Sequence, residues 1–177
     1  MRPWHLTCAA ALALVATVSE PAGAMSLTSP DIKDGGAIPT AHIYTRCGGQ
    51  NISPALSWAG QPAAAKSLVL TVIDIDVKPA LWAHWIITGL PVNTTSLPRG
   101  VSALPAGAHA IGSNFGDAAY DGPCPPAGSG VHHYQFTIWA MPTADVAIGD
   151  DASASDVLAK LTSGAIAHAS LAASVER

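Results

Sequence analysis

The chain has 177 residues and a formal net charge of −4; 49% of it is hydrophobic and only 11% is charged. Its few Lys and Arg residues form no basic cluster, so electrostatics make nucleic acid and anionic membrane surfaces poor candidates as partners. Sparse charge combined with 16 glycines and 14 prolines favours strands joined by defined turns over long solvated helices.

At the N-terminus, Arg2 precedes an apolar run from Leu6 to Val18, and Ala22-Gly23-Ala24 follows. The pattern is that of a secretory signal cleaved after Ala24. The apolar run is too short to span a bilayer as a helix, so a transmembrane protein is not expected. An uncleaved anchor is the alternative, and Cys8 lies too early for a lipid-modified residue at a mature terminus. The expected organisation is a signal peptide over residues 1–24 and one domain over 25–177, exported to the periplasm or secreted. Cleavage removes Arg2 and Glu20 together and leaves the charge unchanged.

Downstream, Cys47 and Cys124 are the two cysteines remaining after cleavage. An even number in an exported protein suggests a disulfide, with two free buried thiols as the alternative. Ile52 to Trp58 reads as a short strand broken by Pro54. Ser67 to Ile73 is a compact β-branched run bounded by Lys66 and Asp74, the pattern of a buried strand. Trp85 to Leu90 is another, ended by Pro91, and residues 93 to 119 are rich in loops. Tyr134 to Met141 is the clearest strand, with Pro142 as its stop. From Ser155, the spacing of Val157, Leu158, Leu161, Ala165, Ile166 and Ala169 reads as helix around a weak point at Gly164. The predicted fold class is mainly β: one antiparallel sandwich with one or two short helices near the C-terminus.

Two segments concentrate the polar chemistry. Residues 122 to 139 run from a stiff Pro and Gly loop into His132, His133 and an alternating strand. Residues 74 to 85 supply Asp74, Asp76 and His84 beside Trp82. If the strand continues through them, Asp74 and Asp76 share one side, and their repulsion raises the pKa of one unless a cation or donor intervenes. His84 and His132 each precede a strand, so both can lie at one rim. Taken singly, every one of these residues has a duller reading: Asp76 as a turn cap, His133 as an exposed side chain. The case for a site rests on two separate segments of matching composition.

At these residues the chain resembles the phosphatidylethanolamine-binding protein (PEBP) family, in its bacterial Raf kinase inhibitor-like branch. The resemblance runs through Cys47-Gly-Gly-Gln-Asn-Ile-Ser-Pro-Ala-Leu-Ser-Trp58, Asp74-Ile-Asp76, Trp82-Ala-His-Trp85, Thr95 to Pro98, Asn114-Phe-Gly116 and residues 122 to 139, nearly all of the region after the signal. It implies a sandwich with a small pocket at one end that accepts phosphate-like head groups. By position, the pocket falls on Asp74, Trp82, His84, Gly122, Cys124, Pro125, Pro126, His132 and Tyr134, with Asp76 as the second carboxylate of the pair. The sequence departs from the family's pattern at Ile75, which replaces a proline, at Lys78, which lengthens the approach to Pro79, and at His133, which replaces an arginine.

An anion meeting Asp74 is repelled unless a proton is shared or charge is compensated. The groups available from the sequence are a cationic His132 or His84, the Tyr134 hydroxyl and backbone N–H groups of the glycine-rich loop. The expected partner is a small anionic or phosphorylated ligand, with no cofactor, resident metal or catalytic residue. Two rivals use the same chain. One is a metal-assisted phosphoester hydrolase with Asp74, Asp76, His84 and His132 as ligands, although no established metal or nucleophile motif is present. The other is an inhibitor of a protease or other enzyme, acting on an unidentified protein target through a surface loop.

Overall fold

The computed structural model describes residues 24–177; the signal segment expected over residues 1–24 lies almost wholly outside them. The first sheet has three antiparallel strands in the order β1-β2-β5, formed by Ser26–Thr28, Leu56–Ala59 and Ser96–Leu97. The second has five, β6-β4-β3-β7-β8: His109–Ala110, Trp82–Leu90, Ser67–Asp74, Val131–Met141 and Ala167–Glu176. β3 lies at the centre, antiparallel to β4 and β7. Every residue of β3 is buried, which explains its unbroken apolar run: one face packs into each of two core layers.

Between the sheets lie Leu27, Leu56, Trp58 and Leu97 from the small one, and Leu68, Leu70, Val72, Trp85, Phe136 and Ile138 from the large one. The other face of the large sheet packs Val69, Ile86, Trp139 and Met141 against helix α1, Ala154–Gly164. α1 begins at Ser153, whose hydroxyl oxygen accepts from the Asp156 backbone N–H while the hydroxyl donates to the Asp156 carboxylate. Its apolar residues Val157 and Leu161 are buried. No helix among the described residues is long and apolar enough to cross a membrane.

The mainly β fold agrees with the sequence reading, and several boundaries differ from it: the strand read over Ile52 to Trp58 is β2, Leu56–Ala59. The helical reading of Ala165, Ile166 and Ala169 gives way to β8, which begins at Ala167. There Ala169, Leu171, Ala173 and Val175 alternate inward and pair along the full length of β7, so sheet pairing overrides the helical preference of alanine. Only one helix forms near the C-terminus. His84 and His132 lie inside β4 and β7 instead of ahead of them.

Candidate functional site

A cavity of about 380 Å³ opens where the end of β3 meets the starts of β4 and β7. At that end Asp74 is the register partner of both Trp82 and Tyr134, so three strands deliver their functional side chains side by side. His84 is aimed by a bulge. Val72 pairs with Trp85 and Ile73 with Ala83, leaving residue 84 as the extra one in β4. An extra residue bends its strand and redirects its side chain, here into the cavity.

Loops complete the walls. Asn114 acts as a surrogate strand partner for Ala83: its side-chain oxygen accepts from Ala83 N–H at 2.6 Å, and its own N–H donates to the Ala83 carbonyl at 3.1 Å. Phe115 is thereby placed 5.2 Å from the His84 ring and 5.8 Å from Trp82, centroid to centroid. Asn51, in left-handed backbone at φ 56°, clamps the opposite loop through Gly122 N–H at 2.7 Å and the Tyr120 carbonyl at 3.1 Å. The Cys47–Cys124 disulfide forms, with Cα atoms 5.6 Å apart. It ties the short helical turn Thr45–Cys47 to the proline-rich loop and so brings Arg46 to the cavity wall. Arg177 buttresses the tie by donating to Cys47 Sγ at 2.7 Å and to the Pro125 carbonyl at 3.2 Å.

Asp74, Trp82, His84, Cys124, Pro125, Pro126, His132 and Tyr134 all line the cavity. Asp76 and Gly122 do not. β3 ends at Asp74, so alternation stops there and Asp76 turns outward, where its carboxylate accepts from the backbone N–H and lies 2.8 Å from the ring Nδ1 of exposed His133. Burial works against ionisation of Asp76, but the His133 hydrogen bonds outweigh it and hold its pKa below the usual carboxylate value. Gly122 sits behind the wall, where a Cβ would lie 2.1 Å from the His42 carbonyl oxygen. The four residues weighed as metal ligands are therefore not gathered together. Among the described residues no group of three His, Cys, Asp or Glu side chains is placed to hold a metal ion.

Sequence reasoning missed Tyr44, Arg46, Val77 and Phe115, which also line the cavity. For Phe115 the signal existed in Asn114-Phe-Gly116. For Arg46 it lay only in adjacency to Cys47.

His132 Nδ1 lies 2.7 Å from Asp74 Oδ2, while its Nε2 lies 3.1 Å from Ser129 Oγ. Ser129 donates its own proton to the Pro126 carbonyl, so it accepts from Nε2–H. Both ring nitrogens of His132 are thus engaged, one by Asp74 and one by Ser129. Asp74 Oδ1 accepts from Asp76 N–H at 3.0 Å. His84 Nδ1 lies 2.7 Å from the Asp121 carbonyl oxygen. Burial lowers the His84 pKa to about 4, against the opposing pull of the Asp121 carbonyl and the Asp74 carboxylate, so the ring is neutral near pH 7 and is not the cation expected from sequence. Tyr134 has no exposed surface, and its hydroxyl is the one buried side-chain polar atom among the described residues without a hydrogen-bond partner. Burial, with the Asp74 charge adding to it, raises the Tyr134 pKa, so the hydroxyl keeps its proton.

The family described as phosphatidylethanolamine-binding protein matches residues 28–176. YbcL of Escherichia coli K12 is 36% identical over 163 residues, which cover 88% of this chain and 89% of YbcL. Its crystal structure, described as that of a new member of the mammalian PEBP family, has a TM-score of 0.81 at 34% identity and covers 88% of this chain and 99% of its own. A candidate PEBP homologue from Chlamydia trachomatis has a TM-score of 0.72 at 33% identity, covering 87% of this chain and 98% of that one. The candidate lipoprotein LppC of Mycobacterium tuberculosis is 40% identical over 130 residues, 73% of this chain and 62% of LppC. Strand order, end-of-sandwich cavity and these matches agree, and the chain belongs to the phosphatidylethanolamine-binding protein family.

Proposed function

We propose that the protein is exported, loses residues 1–24, and binds the anionic head of a phosphorylated small molecule in the cavity at the end of the sandwich. The observation that carries this reading is the Tyr134 hydroxyl, a buried donor without a satisfied hydrogen bond, beside Asp74 on a ring that lines the cavity. A buried polar group without a partner costs roughly 1–3 kcal/mol, which an incoming oxygen atom recovers. Charge supports the same reading. The His132 ring occupies Asp74 Oδ2 and turns that oxygen away from an incoming anion, and Arg46 adds a positive charge at the wall. The apolar surfaces of Trp82, Phe115 and Pro125 exclude water and strengthen those bonds. Export is supported by the disulfide and by the likeness to LppC.

The test is calorimetric titration of phosphoethanolamine and inorganic phosphate into protein recovered from the export compartment with Met25 as its first residue. Tyr134→Phe keeps the ring and removes only the donor, so affinity should fall roughly 10- to 100-fold, the worth of one hydrogen bond to a charged group. Arg46→Ala should weaken binding and flatten its salt dependence. Absence of binding to the unaltered protein, or full affinity in Tyr134→Phe, refutes the reading.

A further inference from the structure

The Cys47–Cys124 bond differs from a sealed structural bridge in two respects. Both cysteines are only half-buried, and Cys124 lines the open cavity. A guanidinium also sits on one sulfur in preference to the other: Arg177 Nη1 lies 2.7 Å from Cys47 Sγ and 3.9 Å from Cys124 Sγ. Two further bonds hold the arginine there. Its Nη1 donates to the Pro125 carbonyl at 3.2 Å, and its own carbonyl accepts from Gly128 N–H at 2.8 Å. A sulfur within a disulfide is a weak acceptor, so the guanidinium gains little from this contact while the bond is closed. A thiolate in the same place is a full anion, and the contact becomes a charge-assisted hydrogen bond. Arg177 is therefore worth most once the bond has opened with the electron pair on Cys47.

We propose that the Cys47–Cys124 bond is a reversible redox site, opened by a dithiol that attacks Cys124 Sγ while Arg177 receives the departing Cys47 thiolate. In the first step a thiolate of the reductant bonds to Cys124 Sγ, the Cys47–Cys124 bond breaks, and its electron pair leaves on Cys47 Sγ. The sulfur whose thiolate is better stabilised is the better leaving group, which selects Cys47 to leave and Cys124 to be attacked. In the second step the reductant's other thiol attacks the reductant sulfur of the mixed disulfide, and Cys124 departs with its electron pair. The reductant leaves oxidised, as a disulfide, and its protons pass to Cys124 and to Cys47 or solvent. The fold tolerates the opening, because Tyr44 N–H to the Pro123 carbonyl and Asn51 to Gly122 still join the two segments. What is lost is the covalent tie on the turn Thr45–Cys47, so reduction frees Arg46 from the cavity wall. Reoxidation returns it.

The experiment treats the folded, oxidised protein with glutathione, dithiothreitol or a thioredoxin-type protein dithiol, without denaturant. Glutathione has a single thiol and stops at the mixed disulfide, which acid quenching and peptide mass spectrometry locate. It should sit on Cys124 at least about threefold more often than on Cys47. Arg177→Gln keeps a donor for the Pro125 carbonyl and loses the charge, and should slow reduction by dithiothreitol about three- to tenfold. Arg177→Lys keeps the charge and should recover most of the rate. The sign separates this role from a structural one: if Arg177 merely shielded the bond, Arg177→Gln would be reduced faster. Trypsin cleavage after Arg46 should rise several-fold on reduction while tryptophan emission stays that of the folded protein. A faster rate per thiol with the protein dithiol assigns the reductant to an oxidoreductase, and a faster rate with dithiothreitol assigns it to a small thiol entering the cavity. Adducts mainly on Cys47, an equal or faster rate in Arg177→Gln, no increase in cleavage after Arg46, or resistance of the folded protein to both dithiols overturns the proposal.

Discussion

Replacing Cys47 and Cys124 with serine should cost stability chiefly through the unfolded chain. The two residues are 77 positions apart, and closing a loop of that size removes chain entropy worth about 4.5 kcal/mol in the loop-closure model. That figure is a ceiling, because residual structure in the unfolded chain already limits its freedom. In the folded state the two segments keep other ties: Tyr44 N–H to the Pro123 carbonyl at 3.1 Å, and Asn51 to Gly122 at 2.7 Å. Native geometry should therefore persist, and the expected loss is about 2–4 kcal/mol. For a domain of this size that corresponds to a melting temperature lower by about 5–15 °C. The assay is urea unfolding of both proteins followed by tryptophan emission. The variant's midpoint should fall while its m-value rises, since an uncrosslinked chain exposes more surface when unfolded. Because the tie also holds the turn that carries Arg46, phosphate affinity should drop in parallel. A loss below about 1 kcal/mol with an unchanged m-value would refute the reasoning.

Two further outcomes are expected. Gly122→Ala places a methyl group 2.1 Å from the His42 carbonyl oxygen and 2.7 Å from the Tyr44 backbone nitrogen, so it should destabilise by at least about 2 kcal/mol in urea; a wild-type midpoint would show that the wall yields freely. The pH dependence of stability should contain two opposed slopes. His84 has a folded pKa depressed to about 4, so its neutral form contributes fully above about pH 6.5 and the contribution is lost as pH falls towards 4. Asp121 is raised to about 6 by burial and by the neighbouring Asp117 carboxylate, so stability is lost as pH rises from about 4 through 6. His84→Asn should abolish the first slope and Asp121→Asn the second in urea midpoints across that range; unchanged profiles would exclude these assignments.

Legibility in the sequence follows how locally each feature is encoded. β3 and β7 were readable because their β-branched and aromatic runs carry the signal within a few residues. β8 was missed because alanines at 165, 167 and 169 fit either period, and the deciding fact is pairing with β7, about thirty residues away. Within the cavity, residues from the two motif segments were legible because each motif sits at a strand end. Asp76 was misplaced because nothing local marks Asp74 as the last paired residue of β3. Arg46 was invisible for the opposite reason: only the disulfide, closed across the fold, carries it to the wall. The hydrogen-bond partners of the His132 and His84 nitrogens are carbonyl, carboxylate and hydroxyl groups brought in by the fold, and spacing holds no record of them.

The partial exposure of Trp82 makes the molecule its own optical reporter. Its indole stands at the cavity mouth with 37% of its surface open, edge-on to Phe115, whereas Trp58, Trp85 and Trp139 are sealed in the two core layers. Of these four tryptophans, which are all that remain once residues 1–24 with Trp4 are removed, collisional quenchers in solution reach the first and not the other three. Emission from the quenchable fraction thus follows events at the mouth, and the shielded fraction follows the integrity of the sandwich. One unlabelled sample yields both signals, so loss of occupancy and loss of fold can be separated in a single cuvette.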